Sequence, residues 1–167
     1  PMLTGKLSPD FIIVNGENAA RGFGITEKYC KQFFDLGVDV ITTGNHAWDQ
    51  KEIITYIDQE PRLLRPLNYP ELTPGNGTGV FEAHNGAKVF VGQIMGRLFM
   101  DSLDDPFVAI DNALAEHKLG DAINCAVVDI HAEATSEKMA VGQYLNGRVS
   151  MVVGTHTHIP TADAQIL

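Results

Sequence analysis

Four short polar clusters carry the residue types that can do chemistry. They are Asn15-Gly16-Glu17-Asn18, Gly44-Asn45-His46, His131-Ala132-Glu133 and Gly154-Thr155-His156-Thr157-His158. Together they hold carboxylates, carboxamides and four histidines. Neutral imidazole binds Zn, Mn, Fe and related ions, and a carboxylate can bridge two of them. A carboxamide such as Asn45 binds a cation through its carbonyl oxygen. His156 and His158 stand at i and i+2, so on an extended segment both rings point the same way and reach adjacent ions. Glycines at 16, 44 and 154 let the backbone turn sharply and approach a ligand closely. Each element alone has a plainer reading. Glu17, Asn18 and Asn45 can be turn formers, His131 a satisfied polar residue at a strand end, and His-x-His a chance match. His84 and His117 lie away from the clusters and read as surface residues. Asp49 can orient His46, but with Glu52 three residues on it also forms a helix capping box, which explains it without that role.

The clusters gain weight from what precedes them. Each follows a short apolar, β-branched run, at residues 11–14, 38–42, 125–130 and 149–153. None of these runs alternates cleanly, which is the pattern of strands buried on both faces of a parallel sheet. The carboxyl ends of parallel strands lie along one edge, where α/β proteins place ligands. Four clusters far apart in sequence are therefore expected to meet in space. Four independent strand-end coincidences are much less probable than one shared metal site.

The intervening segments supply the rest of the scaffold. Residues 26–36 have apolar positions at helical spacing and stop at Gly37. Residues 49–59 open on the Asp49/Glu52 capping box, with Trp48 and Ile53 as its hydrophobic staple. Further helices are expected at 106–118 and 136–145. Residues 79–84 and 87–92 are apolar runs joined by Asn85-Gly86, which reads as a β-hairpin with a type I′ turn. Residues 62–79, rich in Pro, Gly and Asn, read as a loop. Strand–helix alternation implies an α/β layered fold with right-handed crossovers, here one mixed domain over residues 1–167 with an antiparallel hairpin insertion.

Composition narrows the function classes. A net charge of −9 argues against broad binding to nucleic-acid backbones, which needs Lys/Arg clusters. It leaves room for a small phosphate ester whose charge is met by bound cations. No apolar run approaches the ~18–20 residues of a membrane span, and no signal-peptide pattern opens the chain. Cys30 and Cys125 sit in apolar stretches and read as buried free thiols of a cytoplasmic protein. Pro1 is not an initiator and Leu167 closes an apolar stretch, so the domain is expected to continue beyond both ends. Residues 1–9 read as the tail of a helix followed by a loop.

These motifs resemble the calcineurin-like metallophosphoesterase superfamily. Gly16-Glu17 matches its second block, Gly44-Asn45-His46 its third and His131 its fourth; residues 154–158 match the last, with one residue inserted. Asn-Gly-Glu-Asn-Ala-Ala at 15–20, Gly-Asn-His-Ala-Trp-Asp at 44–49 and His-Ala-Glu-Ala-Thr-Ser-Glu-Lys at 131–138, with Gly-Thr-His-Thr-His at 154–158, are similar to the YmdB-like bacterial phosphodiesterases of 2′,3′-cyclic nucleotides. The similarity covers nearly the whole chain. It implies a layered α/β/β/α sandwich of mixed sheets and two divalent transition-metal ions, Fe or Mn foremost and Zn possible. Carried over by position, Glu17 bridges the metals. Asn45, His131 and His156 complete one metal's protein ligands, while His158 and Asn18 serve the other, and His46 stands near the substrate. The superfamily's first motif, a strand ending in an Asp ligand, has no match in this chain.

The reaction so implied is phosphodiester hydrolysis by a water activated between two metals, with His46 protonating the departing ribose oxygen. A phosphomonoesterase or nucleotidase on the same dinuclear site is the nearest alternative. A nucleotide-binding regulatory protein without turnover is another. Neither the oligomeric state, with a homo-oligomer possible, nor the base preference is legible in the sequence.

Overall fold

A computed structural model of the chain describes residue 5 and residues 7–167. The helical tail expected over residues 1–9 falls mostly outside the described residues. The first sheet is parallel, in the order β1 (Ile13–Asn15), β2 (Val40–Thr42), β3 (Leu63–Leu64). Helix α1 (Glu27–Asp35) links β1 to β2, and the short α2 (Ile53–Tyr56) lies between β2 and β3. The second sheet runs β4 (Thr78–Glu82), β5 (Lys88–Met95), β6 (Cys125–Ala132), β7 (Met151–His156). β4 is antiparallel to β5, and β5, β6 and β7 are mutually parallel. Helices α3 (Pro106–Leu114) and α4 (Thr135–Tyr144) make the crossovers.

The absence of polar alternation in the strands now has its cause. Successive residues of a strand face opposite ways, and β2, β5 and β6 are covered on both faces, whereas β1 is only half-buried and β7 is open, with Met151 exposed. Ile41 and Leu63 pack outward with Cys30, Ile53 and Ile57 on the α1/α2 side. Their neighbours Val40 and Leu64 pack inward against Val89 and Val91 of the second sheet, with Ala83 between. Phe90 and Ile94 turn the other way, onto Ile110, Leu114 and Val141 of α3 and α4. Three apolar interfaces thus separate four layers, helix, sheet, sheet, helix. Each buried Ile, Leu, Val or Phe contributes about 1.5–3 kcal/mol relative to exposure.

Several expectations are corrected. The helix at 49–59 contracts to α2, and Asp49 does not cap it. The N-cap position is Glu52, which makes no side-chain cap bond. Asp49 instead holds the His46 ring, while the Glu52 carboxylate accepts the N–H of Glu27 at the start of α1 at 3.0 Å. A carboxylate that can pair with an imidazole is lost to the helix end. The segment expected to be wholly loop contains β3, too short to show a period. The hairpin forms, but its turn is not type I′. Gly86 (φ 82) is the loop residue in the left-handed region, Gly86 N–H donates to Ala83 O at 2.8 Å, and Ala83 N–H donates to Ala87 O at 2.8 Å. That is a three-residue loop with a glycine bulge. Nor is the hairpin an insertion, since β5 lies in the interior of the second sheet. Cys30 is buried, whereas Cys125 is only partly so, and both are free thiols. Burial pushes the Cys30 thiol up to about 12, so it stays protonated. His84 is largely exposed, while His117 packs its ring 5.4 Å from that of Phe90.

Candidate metal centre

The carboxyl ends of β1, β2, β6 and β7 come together at one edge of the two sheets, and the four polar clusters come with them. Ile13 pairs with Val40 across the first sheet and His131 with Thr155 across the second, so register alone brings the clusters level. A polar seam, buried except at Asn15, then fastens the sheets to each other. The Gln93 side chain on β5 accepts the Thr43 N–H at 3.0 Å and donates to the Thr43 carbonyl. Asn15 donates to the same carbonyl at 2.8 Å. Asp129, on β6, accepts the Thr42 hydroxyl at 2.7 Å. Sheet-to-sheet placement, and so the spacing of the clusters, is fixed by hydrogen bonds with defined directions rather than by apolar contact alone.

His131 is the centre of the site and is fully buried. Its Nε2 lies 2.9 Å from Asn45 Oδ1, 3.1 Å from Glu17 Oε1 and 3.2 Å from His156 Nδ1. Glu17, His131 and His156 each offer a ligand atom within 4.8 Å of the others. The approach depends on Gly44. A Cβ there would collide with the His131 ring and stand 2.5 Å from Glu17 Oε1.

The donor set fits a cation. Two oxygens that can only accept and two ring nitrogens crowd one small region. The imidazoles can place at most one hydrogen each among them, whereas a positive ion satisfies all the lone pairs at once. Electrostatics agree. Burial alone would raise the Glu17 carboxyl, but hydrogen bonding and charge from His131 and the His46 backbone N–H hold it below its ordinary value. Burial, with the neighbouring His131, lowers His156 and so favours the neutral, ligating form. His156 directs Nε2 to the Glu133 carboxylate at 3.1 Å and leaves Nδ1 facing His131.

His46 stands beside this group. Its backbone N–H donates to Glu17 Oε1 at 3.0 Å, and its Nδ1 lies 2.7 Å from Asp49 Oδ2. The ring of Phe23 meets that of His46 edge-on with centroids 5.1 Å apart. Asn18 and His158 lie on the rim. With Glu17, His156 and Asn15 they line a cavity of about 360 Å³. The Asn18 amide donates to Gly22 O at 2.8 Å. His158 is exposed. The extended geometry expected to align His156 and His158 does not hold. β7 ends at His156, and both residues have positive φ, 98 and 55. Non-glycine residues held there cost about 1–3 kcal/mol each, and the chain turns at this point instead of continuing as a strand.

Three residues close to the histidines escaped sequence reasoning. Asp129 sits under His131 and Thr155 beside it. Lys138 on α4 lies over Gly154 and donates to Thr157 Oγ1 at 3.2 Å, ordering the residue between the two histidines. Asp129 had a signal, being the one charged residue in an apolar strand.

Fold and site together define a four-layer α/β protein with a cluster of histidine, carboxylate and carboxamide groups at its sheet edge that could hold a metal. The model of the YmdB-like protein family matches residues 1–167, and the chain belongs to that family. It is 50% identical over 167 residues to a 2′,3′-cyclic-nucleotide 2′-phosphodiesterase of Bacillus subtilis (strain 168), covering all of this chain and 62% of that protein. Among solved structures, a hypothetical protein from Thermus thermophilus superposes with a TM-score of 0.87 at 49% identity, covering 95% of this chain and 60% of that one. A structure described as a novel phosphatase from Mycoplasma pneumoniae has a TM-score of 0.87 at 33% identity, covering 99% of this chain and 59% of that one. The chain therefore spans about 60% of the length of these relatives.

Proposed function

We propose that the protein is a metal-dependent phosphodiesterase acting on small phosphodiesters, 2′,3′-cyclic nucleotides foremost. The observation that carries this is the convergence of Glu17, Asn45, His131 and His156 on one point, in a chain half identical to a phosphodiesterase of that specificity. Glu17, Asn45, His131 and His156 would hold one divalent transition-metal ion, Fe or Mn in preference to Zn. Glu17, His158 and Asn18 would contribute to a second. When bound, such a pair lowers the pKa of a water and offsets charge on the phosphoryl oxygens.

The chain's own groups do the rest. Asp49 can only accept from His46 Nδ1, so Nε2 is the nitrogen left to move a proton. Placed beside Glu17, His46 donates that proton to the departing ribose oxygen. The His46 N–H, with His131, keeps Glu17 charged, so the proton donor and the ligand shell are fixed to each other. The acidic surface and the small cavity favour a compact substrate over a nucleic-acid strand. Among the described residues no helix is long and apolar enough to cross a membrane, and two free cysteines fit a reducing cytoplasm.

A phosphomonoesterase is the second reading, favoured by the phosphatase description of the Mycoplasma structure. Elemental analysis of the full-length protein, followed by a phosphoester panel on the same sample, separates the two. Turnover of 2′,3′-cyclic nucleotides above that of nucleoside monophosphates supports the diesterase. The reverse order replaces it, and metal-free protein with full activity removes both.

A further inference from the structure

Behind His131 lies a chain of hydrogen bonds with a definite direction. His131 Nδ1 is 2.9 Å from Thr155 Oγ1, and the Thr155 hydroxyl donates to Asp129 Oδ1 at 2.7 Å. The other oxygen of Asp129 receives the Thr42 hydroxyl at 2.7 Å and the side-chain amides of Asn15 and Gln93, both at 3.4 Å. Asp129 is buried, and all its polar side-chain neighbours offer it a hydrogen. A hydroxyl has one hydrogen, and that of Thr155 is committed to Asp129. Thr155 can then only accept from His131, so the ring hydrogen must be on Nδ1.

We propose that Asp129, acting through the Thr155 hydroxyl, is a positioning residue that holds a hydrogen on His131 Nδ1 and keeps Nε2 facing Glu17, Asn45 and His156, where a cation can replace any hydrogen it carries. This rests on the metal-site reading for its purpose but not for its geometry. A histidine that ligates through one nitrogen needs its hydrogen on the other, and a hydrogen-bond partner behind the ring sets which. The two histidines solve this from opposite ends. Glu133 takes the Nε2 hydrogen of His156 and frees Nδ1, whereas the Thr155–Asp129 pair takes the Nδ1 hydrogen of His131 and frees Nε2. The pair also spans the sheets, because Thr42 and Asn15 belong to the first sheet and Asp129 and Thr155 to the second. The orientation of His131 is thereby tied to the seam that sets the distance between Glu17 and the histidines.

One substitution should reverse the chain without removing it. In Asp129→Asn the amide NH₂ must face one side. The Oδ2 side already holds three donors, so the NH₂ turns to Thr155. Thr155 then accepts from Asn, donates its own hydrogen to His131 Nδ1, and drives the ring hydrogen onto Nε2. Thr155→Val keeps the side-chain shape and deletes the hydroxyl, and Thr155→Ser restores it.

The test uses full-length protein with ring-¹⁵N-labelled histidine, stripped of metal, and long-range ring ¹H–¹⁵N correlation of His131, followed by Zn²⁺ titration of the same samples. The expected result is a hydrogen on Nδ1 in the wild type and in Thr155→Ser, with or without a second one on Nε2, and no hydrogen on Nδ1 in Asp129→Asn. Thr155→Val loses the preference. Zn²⁺ affinity falls about 10–100-fold in Asp129→Asn and Thr155→Val, the range typical of partners behind a ligand, and is regained in Thr155→Ser. A wild-type ring with no hydrogen on Nδ1 overturns the inference whatever the metal does. Nδ1–H in the wild type with Zn²⁺ affinity unchanged in Thr155→Val overturns the purpose given to it. Failure of the wild type to bind Zn²⁺ at all overturns the metal-site reading beneath it.

Discussion

The inner and outer halves of the candidate site are held in different ways. The inner half, Glu17, Asn45 and His131, is fixed from several directions before any ion arrives. Glu17 is paired with His131 and with the His46 N–H, and His131 is held from behind by Thr155. The outer half, Asn18 and His158, lies on the rim of the cavity, where Asn18 is tied by one hydrogen bond to Gly22 and His158 is exposed on strained backbone. Preorganised ligands bind more tightly because little ordering remains to be done on binding. On the proposed two-metal reading, the inner position is expected to be tight and the outer one exchangeable. Variants in the two halves should fail differently.

The largest effect is expected at the residue both positions share. Glu17→Gln should lower the content of both metals and cut the rate by more than the ~10–100-fold typical of losing a partner behind a ligand, because a neutral amide bridges two cations poorly. Elemental analysis and turnover in full-length protein check it. Unchanged stoichiometry would remove Glu17 from the ligands. Gly44→Ala should act first on the inner half, since the added methyl meets His131 and Glu17, and reach the outer position only through the shared Glu17. Metal content should fall while the far-UV circular dichroism of the fold remains.

His46 separates binding from chemistry. His46→Ala should keep its metals and substrate affinity while kcat falls about 10²–10⁴-fold. The loss should be smaller for a nitrophenyl ester, whose leaving oxygen needs no proton. Equal losses on good and poor leaving groups would make His46 structural. His158→Ala should remove one metal equivalent and leave the other, with activity recovered at raised metal concentration. If both metals are lost together, the two halves are not distinct.

The smallest effect lies outside both halves and serves as a control for them. Arg62, hydrogen-bonded to Glu60, is the main cause that holds the Glu60 carboxyl below its usual value, with burial opposing it. A depressed carboxyl stabilises the folded state above its unfolded value, about 4.3. That stability is lost as pH falls through the lower folded value. The urea midpoint of the wild type should therefore drop more than that of Glu60→Gln between about pH 6 and pH 3. The difference should be small because Arg62 is nearly half exposed. Equal drops would show that this pair contributes nothing.

Much of this was legible in the sequence for a physical reason. Short apolar runs that end in polar residues mark the carboxyl edge of a parallel sheet, so the clusters at 15–18, 44–46, 131–133 and 154–158 announced that edge, although only β2 and β6 of the four strands are buried on both faces. The hairpin at Asn85-Gly86 was legible as well, although its turn type was not, because Asn85 and Gly86 fit more than one loop length. What could not be read depends on side-chain partners across the sheets. Asp49 offered a helix cap and an imidazole partner, and only the position of His46 decides between them. Asp129 and Gln93 stand inside apolar strands, and their role depends on Thr42 and Thr43 across the sheets and on Thr155 of the neighbouring strand, which the sequence does not place. The turn at His156 and His158 is set by backbone that propensity does not anticipate.

Anomalous diffraction from crystals of the full-length protein, recorded at the absorption edge of the metal it carries, tests the central claim most directly. A strong peak is expected about 2.0–2.1 Å from His131 Nε2, shared with Glu17, Asn45 and His156. A peak elsewhere in the molecule, with His131 Nε2 donating a hydrogen bond to Asn45 or Glu17, would contradict it.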